Sequence, residues 1–149
     1  MKKLLMSAAI LGVLAAPAYA DAHDHKEMEK TAITEEAVIE AQNKWGAGIV
    51  AIGQVYSEEG DYKARATQHI NDLYAYDHGT VLFKPTLAAD DQFRENFDQA
   101  LSYFVTGYIE DYKGFAIKPW TAVRFENHGI VTDSDSATAM GNYFFTPKG

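Results

Sequence analysis

The chain contains no cysteine, which excludes disulfides, thiolate metal ligands and thiol nucleophiles, so packing alone has to hold the fold together. It is also short of positive charge: 13 Lys and Arg stand against 21 Asp and Glu, a net charge of −8. A surface of that sign repels nucleic acid and anionic lipid, and no basic patch interleaved with aromatics offsets it. Beyond the first 20 residues no apolar run approaches the length a membrane-spanning helix needs. The usual chemical signatures are missing as well. There is no glycine-rich phosphate loop and no nucleophile elbow, and in the body of the chain no second histidine lies three to five residues from His69, His78 or His128. Each of these three histidines reads as a surface or capping residue.

What is present begins with an export signal. Lys2 and Lys3 precede an apolar run from Leu4 to Ala16, and Ala18-Tyr19-Ala20 has the small-x-small pattern accepted by a signal peptidase. Residues 1–20 are therefore expected to direct the protein to the periplasm or the exterior, with no membrane attachment after cleavage. Losing Lys2 and Lys3 from the 13 basic residues leaves 11 against 21 acidic ones, a net charge of −10. Residues 21–32 open with DAHDHKEMEK, charged and without apolar periodicity, and are predicted to be a disordered acidic leader. His23 and His25 within it could chelate a divalent ion only after the segment is ordered, so a solvated tail is the simpler reading.

Residues 33–149 have the length of one domain. Thr34 is placed to cap a helix, with Glu35 and Glu36 in the first turn where the helix dipole favours negative charge. Val38, Ala41, Trp45, Ile49, Ile52 and Tyr56 then recur at helical spacing. Gly46, Gly48 and Gly53 each weaken that helix by about 1 kcal/mol relative to alanine, which implies that another element packs closely against them. Asp61 starts a second helix with the stripe Tyr62, Ala66, Ile70 and Leu73. Thr80 to Lys84 (TVLFK) is predicted as a short buried strand closed by Pro85. Asp90 or Asp91 is expected to cap a third helix, with Phe93, Phe97, Ala100 and Phe104 on its face and Tyr103 on the flank, where it can look into a cavity.

From Phe115 the period changes to two, with Pro119 marking an edge or a bulge and Asn127-His128-Gly129 supplying a turn. Ile130 to Thr132 is expected as a brief strand, Asp133 to Ser136 as a turn, and Ala137 to Thr146 as the returning strand. The strand over 139–146 is followed by Pro147-Lys148-Gly149 with no further strand in the sequence, leaving an edge of unpaired backbone groups. Last strands are therefore expected to be missing. Helices first and antiparallel strands last define an α+β class.

Nine tyrosines and eight phenylalanines, with Thr86, Ser102 and Tyr103 near the junction of the strand and the third helix, would suit an apolar pocket with a few polar points. Aromatic stripes at helical spacing more often form core. The strings VLFKPT (81–86), SYF (102–104), EDYKGFAIKPW (110–120), VRFEN (123–127) and AMGNYFFT (139–146) together resemble the iota-class carbonic anhydrases, in this order and across most of the domain. The resemblance implies a cone of the polyketide-cyclase and nuclear-transport-factor type, with three helices packed into the mouth of a curved antiparallel sheet. It implies reversible hydration of carbon dioxide to bicarbonate by a homodimer, without a metal or other cofactor in some members. Thr86 and Tyr103 correspond to the hydroxyl residues that hold substrate and water there. A His-His-Ser-Ser string that supplies a further histidine and serine in that family is not found in this sequence, so slow hydration is expected of the 149-residue chain. Three other readings remain open at this point: a non-catalytic module for a small apolar ligand, a dimerisation domain using an exposed sheet face, and a hydrolase of phosphorylated metabolites, which the acidic charge and missing phosphate loop disfavour.

Overall fold

A computed structural model describes residues 32–107 and 113–149. The export signal at 1–20, nearly all of the acidic leader with His23 and His25, and Glu110 to Tyr112 of the EDYKGFAIKPW string lie outside the described residues. Three helices, α1 (Glu35–Ser57), α2 (Tyr62–Leu73) and α3 (Phe97–Val105), precede a two-stranded antiparallel hairpin of β1 (Trp120–Thr132) and β2 (Ala137–Pro147). The class is α+β, as the sequence implies. Among the described residues no helix is long and apolar enough to cross a membrane.

Thr34 caps α1 by accepting from the Ala37 amide at 3.2 Å, and Asp61 caps α2 by accepting from the Ala64 amide at 2.9 Å. These bonds satisfy donors that the first helical turn leaves without intrahelical partners. α1 packs against both β1 and α2, and α3 packs against α2. The glycines of α1 are the reason the contacts are close. A Cβ on Gly46 would stand 3.0 Å from Val123 Cβ of β1, and one on Gly53 would stand 2.7 Å from the Lys118 carbonyl oxygen. Ile49 and Ile52 of α1, Ala66 and Ile70 of α2, Ala100 and Phe104 of α3, and Ala116 are fully buried and form the core.

Three sequence expectations are corrected. TVLFK is not a strand: Thr80 to Lys84 has no regular secondary structure, Leu82 is 95% exposed, and among the described residues one backbone bond, from the Arg94 amide to the Phe83 carbonyl at 2.9 Å, ties the segment down. β-rich composition makes a strand only where a partner strand is available, and the described residues place none beside it.

The third helix starts six residues later than Asp90 or five later than Asp91 would have it, with Asn96 as its cap, accepting from the Gln99 amide at 3.0 Å. The chain before it wraps the buried Arg94 guanidinium, whose Nη1 donates to the Asp91 carbonyl at 2.7 Å. Phe93 is consequently outside the helix and 56% exposed.

Asn127-His128-Gly129 does not turn the chain. β1 runs straight through it, with an irregularity in the register between Asn127 and Gly129. The Asn127 side chain exchanges two hydrogen bonds with Gln42 of α1, at 2.9 and 2.7 Å, and so is held against the helix instead of closing a hairpin. An extra residue of this kind bends a strand without ending it.

Candidate functional site

The hairpin register decides which strand residues face the helices. Val123 opposes Phe145, Phe125 opposes Tyr143 and Asn127 opposes Gly141, so by the two-residue alternation of strands these share one face. Trp45 of α1 lies over that face, with ring centroids 6.1 Å from Phe125, 6.5 Å from Tyr143 and 6.2 Å from Phe145, all edge-on. Its indole N–H donates to Tyr74 Oη at 2.9 Å. Burial is the main cause that raises the Tyr74 pKa to about 12, so this phenol stays neutral.

Beside Trp45 opens a hollow of about 550 Å3. Phe83, Phe104, Phe115, Trp120, Phe145 and Trp45 itself supply its apolar walls, and Lys84, Thr86, Tyr103 and Tyr143 supply its polar points. Sequence reasoning proposes Thr86 and Tyr103, and both line this one hollow although they sit on different elements.

Tyr103 is placed by the end of α3. The last turn of a helix leaves carbonyls without partners, and here the Phe115 amide donates to the Tyr103 carbonyl at 2.9 Å while the Ala116 amide donates to that of Phe104 at 2.8 Å. This clip brings the Phe115 ring flat against Tyr103, 5.6 Å away at 15°. Phe83 meets the same ring edge-on at 5.9 Å, and the Arg94 guanidinium lies 5.8 Å from its centroid. Tyr103 is 5% exposed. Thr86 has a different setting: it is exposed, follows the buried Pro85, and its Oγ1 shares a 2.9 Å hydrogen bond with Tyr143 Oη.

Two residues of the site region escape the sequence reading. Tyr143 lies in a strand where alternation shows only that it shares a face with Gly141 and Phe145. His69 is the other, and it is a correction: it is buried, not a surface or capping residue. It packs in the crevice that Gly48 leaves, 5.8 Å edge-on to Phe104 and 6.2 Å from Trp45. Its spacing, three after Ala66 and one before Ile70, already places it on the buried stripe of α2. Its Nε2 has no hydrogen-bond partner among the described residues. Desolvation, followed by the charges of Arg65 and Lys44 and opposed by Asp72, lowers its pKa from 6.5 to about 4. His78 and His128 are exposed. Among the described residues no group of three His, Asp or Glu side chains converges to hold a metal ion.

The neutral His69 makes stability depend on pH. Above pH 6.5 neither the folded nor the unfolded imidazole is charged. As pH falls from 6.5 toward 4 the unfolded chain takes up a proton that the folded chain refuses, so stability falls. The loss between pH 7 and pH 5 is expected to be about 2 kcal/mol from this group. Urea unfolding at pH 7, 6 and 5 reads it directly, and His69→Leu should flatten the dependence over that window. An equally steep dependence in the variant would move the cause elsewhere.

A metal-independent carbonic anhydrase from Nostoc sp. is 44% identical over 123 residues, which cover 78% of this chain and 60% of that protein's length. The chain thus spans about three fifths of this curated relative. A crystal structure of the iota-carbonic anhydrase from a cyanobacterium, complexed with bicarbonate, superposes with a TM-score of 0.74 at 44% identity, covering 78% of this chain and 74% of the other. The model of the family described as metal-independent carbonic anhydrase matches residues 36–149, a span that takes in α1 from its second residue, α2, α3, the hairpin and every residue lining the hollow, and the chain belongs to that family.

Proposed function

We propose that the protein catalyses the reversible hydration of carbon dioxide to bicarbonate and a proton, and that the hollow beside Trp45 is where gas and water meet. The observation that carries this reading is the convergence of Thr86 and Tyr103 on one apolar hollow in a chain whose structural relative is complexed with bicarbonate. Carbon dioxide has no net dipole and suits aromatic walls, whereas the attacking water and the carbonate oxygens that develop charge need fixed donors. Hydroxyls contribute by orientation and by dipoles already in place.

Bulk water has a pKa of about 15.7, and zinc brings it near 7. A hydroxyl site has to assist deprotonation differently. Among the described residues that line the hollow there is no carboxylate and no imidazole, and Lys84 is the one charged side chain. Lys84 supplies a local attraction for bicarbonate against the acidic chain as a whole, because charges more than about 8 Å away are largely screened at physiological salt. Buffer can take the proton of the attacking water, and the rate is expected to rise with buffer concentration.

Titration of the chain with 13C-labelled bicarbonate, followed by NMR, together with stopped-flow hydration at two imidazole concentrations, tests the reading. Saturable binding and a buffer-dependent rate above that of imidazole alone are expected. Failure to bind bicarbonate would remove the reading. Binding with no excess rate would assign the hollow to ligand binding without turnover, the alternative that the base-free lining favours.

The same proposal includes export and pairing. The Lys2-Lys3, apolar-run and Ala18-Tyr19-Ala20 pattern supports secretion to the periplasm or beyond. Val131, Met140 and Phe144 are exposed on the sheet face that turns away from Trp45, which supports a homodimer.

A further inference from the structure

We infer that Tyr143 is a positioning residue that commits the proton of the Thr86 hydroxyl to an anionic oxygen in the hollow. The inference rests on the reading of the hollow as a bicarbonate site and adds to it a residue that the sequence does not single out. Thr86 Oγ1 and Tyr143 Oη are 2.9 Å apart. In a hydroxyl pair one proton lies in the shared bond and the other is left to donate onward. Which residue keeps the outward proton decides what the hollow can bind.

Two features fix the direction. A phenol is a stronger acid and a better donor than an aliphatic alcohol, so Tyr143 is assigned as the donor and Thr86 as the acceptor. The two residues also differ in how firmly they are held. The Tyr143 ring is stacked on Phe125 at 6.0 Å and 29°, and meets Trp45 at 6.5 Å and Phe145 at 5.2 Å, both edge-on. Its neighbours belong to α1, β1 and β2, and they hold the ring on one side although it is 45% exposed. Thr86 sits in a segment outside helix and strand, where the one nearby backbone bond runs from the Ala88 amide to the Pro85 carbonyl at 3.3 Å. The strand tyrosine therefore orients the loop threonine, and not the reverse. With one of its two lone pairs accepting the Tyr143 proton, the Thr86 oxygen keeps its own O–H to donate onward. A donor favours an anion such as bicarbonate over a neutral gas.

The test separates ligands by charge. The full chain, Tyr143→Phe, Thr86→Val and the double variant are titrated with 13C-bicarbonate, and each is also titrated with xenon as a neutral probe of the apolar walls. Tyr143→Phe keeps the ring and its three aromatic contacts. It is expected to weaken bicarbonate binding about 5- to 10-fold, the scale of one hydrogen bond to a charged group, while xenon uptake stays within about twofold. Thr86→Val should weaken bicarbonate at least as much, and the double variant no more than Thr86→Val alone, because Tyr143 acts through Thr86. Unchanged bicarbonate affinity in Tyr143→Phe, additive losses in the double variant, or a parallel loss of xenon binding would each overturn the inference while leaving the bicarbonate site itself intact. Absence of bicarbonate binding in the unaltered chain would overturn both.

Discussion

Gly48→Ala is expected to destabilise the protein by about 3 kcal/mol, at the upper end of what overpacking a core costs, even though alanine is the better helix former by about 1 kcal/mol. The added methyl would fall on the His69 imidazole, overlapping Nδ1 and standing 3.3 Å from Cγ. The ring has nowhere to retreat, because Phe104 lies edge-on behind it and Trp45 beside it. Close-packed interiors respond to such an insertion by moving backbone or forcing side chains off their rotamers. Here the displaced contacts are those joining α1, α2 and α3.

The measurement is the urea midpoint at pH 7, where His69 is neutral in both states. Two comparisons isolate the cause. Gly79→Ala, at a position where a Cβ meets nothing within 4 Å, should change stability by no more than about 0.5 kcal/mol. His69→Ala opens the space that the methyl needs, so Gly48→Ala made in that background should be much less costly. A favourable coupling of about 2 kcal/mol is within the range of side chains in contact. Coupling below about 0.5 kcal/mol would show that the glycine is needed for something other than room for the imidazole.

This pair also shows how far residues alone carry. Three glycines at positions 46, 48 and 53 in a helix with good caps are legible as close approaches, because nothing else compensates for their cost in helix stability. What approaches them is not legible. Val123, His69 and the Lys118 carbonyl come from three different parts of the chain, and only the folded arrangement pairs them. His69 lies on the apolar stripe of α2 by spacing, but its polarity argues for the surface, and a residue whose burial is tolerated by staying neutral gives no sign of that in a sequence.

The failed expectations have a common physical origin. TVLFK, Asp90-Asp91 and Asn127-His128-Gly129 each carry a local signal for strand, cap and turn, and each is overridden by a competing contact, near or far in sequence, or by the lack of a partner. No strand lies beside TVLFK among the described residues, the Arg94 guanidinium engages the Asp91 carbonyl, and Gln42 engages Asn127. Where the local signal has no competitor, as at Thr34 and Asp61, the element starts where the residues say it should. In the site, helical spacing puts Tyr103 on a flank that can face a cavity, but the roles of Thr86 and Tyr103 toward reactants come from family resemblance. Tyr143 was open to neither, since the meeting of residues 86 and 143 depends on the path of the loop after Pro85.

Removing one oxygen from Tyr103 or the hydroxyl from Thr86 is expected to lower carbon dioxide hydration about 100-fold in kcat/KM, the scale of losing one donor to a developing oxyanion. Tyr103→Phe is the sharper of the two. The substituted ring keeps its stack on Phe115 and its edge contact with Phe83, so stability should change by less than about 1 kcal/mol, and any loss of rate belongs to the hydroxyl. Thr86 is exposed, so Thr86→Ala leaves Tyr143 free to bond water in its place, and the fold should again be retained. Thr86→Ser restores the hydroxyl and should recover most of the rate, which a packing role for the threonine methyl would not allow. The assay is stopped-flow hydration in imidazole, where buffer takes the proton of the attacking water and the residues are asked only to hold the reactants. If a group merely improves ground-state binding, KM rises and kcat stands; if it steadies the charge that develops as water adds to carbon, kcat falls with kcat/KM. The second pattern is expected for Tyr103. Rates within about twofold of the unaltered chain for both Tyr103→Phe and Thr86→Ala would return the two residues to the walls of an apolar hollow and take the hydration chemistry away from it.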